Sequence, residues 1–121
     1  MIEDIYIEIF LTDILFGDVK SAYNAMKKLY EKGMHKKVKN DGYLLLADYI
    51  INVLENKISI KEFKKRILEL SEKYPEIFMK DREETGDPKK FAYSIIHKVE
   101  YAINRYDIEY PYYNMQRCDD L

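Results

Sequence analysis

The chain has 121 residues, 47% of them apolar and 35% charged, with a formal net charge of −2. That supplies apolar material for one domain over residues 1–121 with a single modest core, and it excludes global disorder. The near balance of charge excludes a surface tuned as a whole for nucleic acid.

Four glycines and three prolines are few, and long alternating β-branched runs are scarce. The expected fold is therefore all-α, a bundle of about five helices joined by short turns. Cys118 is the single cysteine, so neither an intrachain disulfide nor a cysteine metal site is open to this chain. The start Met1-Ile2-Glu3-Asp4 lacks the basic stretch of a secretory leader, and no apolar run is long enough to span a bilayer. A cytoplasmic setting without a membrane partner is the expectation.

Residues 2–16 begin as an alternation, Ile5-Ile7-Ile9, which Phe10, Leu11, Ile14, Leu15 and Phe16 then break. This reads as a helix apolar nearly all round, wetted along Asp4, Glu8 and Thr12, and closed by Gly17. Next, Asp18 caps and Gly33 terminates a helix. Its inner face is Val19, Ala22, Tyr23, Met26, Leu29 and Tyr30, and its outer face is basic. Residues 34–41 read as a basic connector. The stretch 42–56 is again apolar over most of its circumference, with Asp48, Asn52 and Glu55 as a narrow polar strip. The segments 2–16 and 42–56 are expected at the centre of the bundle.

Ser59 followed by Glu62 predicts a capping box, and Ile58 with Phe63 a hydrophobic staple. Phe63, Ile67, Leu70 and Tyr74 form the stripe of that helix, and Glu62 with Arg66 an i,i+4 ion pair. Pro75 ends it, and Ile77 and Phe78 plug into the core from a short turn. Asp87 caps a last helix with Pro88 at its first position. Its inner stripe runs from Phe91 through Ile103 to Tyr106 and Tyr110, until Pro111 stops it. The tail 111–121 reads as partly ordered, with Tyr112 and Tyr113 available to a partner.

The chemistry-bearing residues form no enzyme signature. His35 has Lys36 and Lys37 beside it and reads as solvated. His97, with Tyr93, Glu100 and Tyr101 one turn away, could be oriented for base work, but it equally decorates a wet helix face. Metal-ligand spacings, phosphate-binding glycine loops and an activated nucleophile are missing from the sequence. No enzyme activity and no cofactor are expected. Lys20, Lys27, Lys28, Lys36 and Lys37 could meet phosphates, which makes a nucleic-acid accessory role the alternative. The favoured reading is a protein-binding surface of carboxylates and tyrosines: Glu100, Asp107, Glu109, Tyr112 and Tyr113.

The stretch Leu46–Leu70 resembles the helix–turn–helix of colicin-D-like immunity proteins. An apolar helix leads into Lys57-Ile58-Ser59, and the pair Glu62-Phe63 opens the next amphipathic helix. The resemblance implies a small helical inhibitor that blocks a basic nuclease toxin with an acidic face. It transfers no individual contact residue to this chain.

Overall fold

Asp18, Asn40, Ser59 and Asp87 each place a side-chain oxygen on an unpaired backbone N–H at the start of a helix. Asp18 accepts from Ser21 N at 3.1 Å, Asn40 from Gly42 N at 2.9 Å, Ser59 from Glu62 N at 3.0 Å and Asp87 from Lys89 N at 3.1 Å. In the computed structural model, which describes residues 1–79 and 87–105, these caps open α2 (Val19–Glu31), α3 (Asp41–Leu54), α4 (Ile60–Lys73) and α5 (Pro88–Arg105). They are preceded by α1 (Ile2–Glu8), which runs on without a break into a π-helical segment, Ile9–Ile14. Short 3-10 turns fill Met34–Lys37 and Pro75–Phe78. Among the described residues there is no strand, so the fold is all-α.

The helix stops follow the same local chemistry. At Gly17 (φ +90°) the chain turns left-handed. Asp18 N then bonds Asp13 O at 2.7 Å and Gly17 N bonds Ile14 O at 2.9 Å, the two contacts of a Schellman cap. The end of α3 repeats this arrangement with a non-glycine residue. Asn56 adopts φ +61°, Lys57 N reaches Asn52 O at 2.8 Å and Asn56 N reaches Val53 O at 3.1 Å. Asparagine tolerates this region better than most side chains.

One cluster of buried residues joins all the helices, with Tyr6, Phe10, Phe63 and Phe78 among its largest members. The predicted stripes of α2, α4 and α5 are buried over their described length except at Tyr30 and Tyr74, which are half-buried, and Ile77 and Phe78 are buried from the 75–78 turn as expected. Gly42 belongs to this packing. A Cβ there would lie 2.9 Å from Cγ of Tyr74, so a side chain is excluded by contact, not by backbone conformation.

The expected centre is only partly right. α3 buries most of its circumference. The first element, however, leaves Ile5 42% and Phe16 82% exposed. α5 instead packs against α4, the π segment, the 75–78 turn and α2. Tyr106, Tyr110 and the tail 111–121 lie outside the described residues.

Candidate protein-binding surface

The polar strip read on α3 does not stay on the surface. Asp48 is exposed, but Glu55 is only 3% exposed. Three donors meet its carboxylate. Tyr23 Oη donates at 2.7 Å, Lys27 Nζ at 3.0 Å, and Lys57 Nζ lies 3.1 Å away. Burial pushes the Glu55 pKa up, and the three hydrogen bonds outweigh burial and hold it below the usual carboxylate value. Helical periodicity places residue 55 on the wet side. The approach of α2, with Tyr23 and Lys27, covers that position, and such an approach is not a local sequence signal.

This has a direct consequence for the basic face. Lys27 is half-buried and committed to Glu55, so it is not part of a phosphate-binding surface. Lys20, Lys28, Lys36 and Lys37 are exposed as the sequence suggests, with Lys36 and Lys37 on a 3-10 turn instead of an irregular connector. His35 is not solvated. It is half-buried, its ring centroid lies 4.6 Å from that of Tyr30, and its Nδ1 is buried without a partner among the described residues.

Glu100 is the one predicted partner-binding residue that the structure describes. It is half-buried and held by Lys64 at 3.1 Å, so its charge is already spent. Asp107, Glu109, Tyr112 and Tyr113 lie outside the described residues. Beside Glu100, Tyr93 and Tyr101 are 48% and 59% exposed, and His97 is exposed between them. Arg105 donates to the Tyr101 hydroxyl at 2.5 Å and lies over its ring. The one described carboxylate of this face, Glu100, is therefore neutralised, while Lys98 beside it adds positive charge.

Several described carboxylates form no ion pair, and three of them gather at the end of the first element and the start of α2. Glu8, Asp13 and Asp18 pair with no lysine or arginine among the described residues. Partial burial first, and then repulsion from Asp18 and Glu8, raise the pKa of Asp13. Phe16 stands beside this cluster with 82% of its surface in water. The π segment ends there, followed by the Gly17 reversal, so backbone geometry holds the aromatic ring out from the core. Sequence reasoning counted Phe16 with the apolar interior.

Among the described residues no group of His, Cys, Asp and Glu could hold a metal ion, and no helix is long and apolar enough to cross a membrane. No family model, no curated protein and no solved structure matches the chain.

Proposed function

We propose that this protein is non-enzymatic and acts by binding another protein, in its sharpest form as an immunity-type inhibitor of a basic nuclease toxin. The observation that carries the reading is Phe16, exposed at the end of the first helical element beside Asp13 and Asp18, whose charges meet no cation among the described residues. A large aromatic is a strong interface anchor, and unpaired carboxylates speed encounter with a basic surface. The test is calorimetric titration and nuclease inhibition against basic toxin nuclease domains, beginning with any that is encoded next to this gene. Tight binding with loss of nucleic-acid cleavage supports the reading, and Phe16→Ala should weaken it by at least about tenfold, the scale of a hot-spot residue. An unchanged nuclease overturns it.

A second reading rests on the exposed Lys20, Lys28, Lys36 and Lys37. It predicts tight, steeply salt-dependent shifts of RNA or DNA in a gel, weakened by Lys28→Glu. Lys27→Glu is unsuited to that test, because it also strips Glu55 of a partner.

A further inference from the structure

A groove runs between the start of α1 and the connector that follows α2. α1 supplies Asp4 and Glu8 to it, together with Ile5; the Met1 amino group pairs with Asp4 at 3.2 Å, so Glu3 and Glu8 keep this side acidic. The connector supplies Lys37 and Lys39, together with Met34. One side is thus acidic, the other basic, and each carries an apolar side chain. The two sides are tied together by Lys39 N, which donates to the Glu3 carboxylate at 2.7 Å.

A partner of a single charge sign would be attracted to one wall and repelled by the other. A surface with the same two stripes is matched on both when it is turned about a two-fold axis lying between them. The acidic stripe of one copy then faces the basic stripe of the other, and the reverse contact is identical by symmetry. Ile5, 42% exposed on its own, would be covered near the axis. We propose that the occupant of this groove is a second copy of the same chain, forming an isologous dimer. The contact rests on α1 and the 34–39 connector, whereas the partner-binding reading rests on Asp13, Phe16 and Asp18. The two can therefore fail independently.

The test is sedimentation velocity from low to high micromolar protein. The mass of the wild-type chain should rise from monomer toward dimer with concentration. Raising salt from about 0.05 M to about 0.5 M should lower the association, because the stripes are exposed and screened. Asp4→Lys with Glu8→Lys makes both stripes basic, and Lys37→Glu with Lys39→Glu makes both acidic. Each double variant alone should associate at least about tenfold more weakly, which corresponds to about 1.4 kcal/mol. An equimolar mixture of the two should recover a heterodimer, since one all-basic face meets one all-acidic face. Circular dichroism melts identify any variant that does not fold. In that case Glu8→Gln with Lys37→Gln replaces it and should weaken association without inverting charge. A wild-type chain that stays monomeric at every concentration overturns the proposal. So does a mixture that behaves as the sum of its separate components.

Discussion

Two corners of this bundle bury polar side chains, and they do so in opposite ways. At the end of α3 the Glu55 carboxylate is enclosed by Tyr23, Lys27 and Lys57, each within 3.1 Å. Where α1 meets the 34–37 turn, Tyr6 Oη, Glu3 Oε1 and His35 Nδ1 are buried with no partner among the described residues. A buried group that keeps its hydrogen bonds holds one geometry. One that loses them costs roughly 1–3 kcal/mol and loosens its surroundings. The contrast marks the α2–α3 corner as the rigid clasp of the bundle and the α1 joint as its soft side.

The largest effect should come from opening the clasp. Glu55→Ala leaves three donors facing one another, and Lys27 and Lys57 are 38% and 61% exposed, so water recovers part of the loss. The expected cost is about 2–3 kcal/mol, below that of a fully buried pair, read as a lower urea midpoint at unchanged slope. An unchanged midpoint would mean that the clasp holds nothing.

Acid should act through the same carboxylate. The folded-state pKa of Glu55 lies below its ordinary value of 4.5. Its contribution is therefore complete above that value and is lost as pH falls through the folded pKa. Melting temperature should drop on acidification below about pH 5 in the wild-type chain, and the drop should be shallower in Glu55→Gln. Asp13, whose pKa is raised, works in the other direction and gains as its repulsion is protonated away. Equal acid limbs in the two proteins would remove Glu55 from the account.

On the soft side the sign reverses. Tyr6→Phe deletes a hydroxyl that is desolvated without a bond and keeps the ring packed near Phe10. It should stabilise the fold by about 1 kcal/mol. Amides of α1 and of residues 34–39 should also exchange hydrogen faster than those of α3. A destabilised Tyr6→Phe variant would show that the hydroxyl is satisfied after all. The smallest change belongs to Lys57→Ala, which removes the most exposed of the three clasp donors and should cost only about 0.5 kcal/mol in a melt.

What could be read from the sequence was what short spacings decide. The caps at Asp18, Ser59 and Asp87, the stripes of α2, α4 and α5, and the stop at Gly17 each depend on residues within one or two turns. Even there, competition matters. The predicted capping box at Ser59 forms only its forward half, because the Glu62 carboxylate goes to Arg66 at 2.9 Å. What could not be read was set by chain reversals and by neighbours far along the sequence. Glu55 turned inward because Lys27, on another helix, could reach it. His35 found the ring of Tyr30. Phe16 turned outward because the helix before it changes its winding. The two surfaces proposed here were legible only as a run of acids and a run of lysines. Which members remained available was decided by tertiary pairing, which removed Lys27 and Glu100 and left Glu8, Asp13 and Lys28.

The wide winding of Ile9–Ile14 also sets a phase. An ordinary helix advances about 100° per residue, and a single π turn absorbs one extra residue without breaking the rod. Asp4, Ile5 and Glu8 lie before this insertion, and Asp13 and Phe16 lie at its end or beyond. Deleting Thr12 to restore even winding would swing the first two turns by about 100° relative to the core. Tyr6 and Ile7 would leave their places, and the stripe that bears Asp4 and Glu8 would no longer flank Lys37. One residue of slack thus keeps two acidic surfaces of a single helix aimed in separate directions.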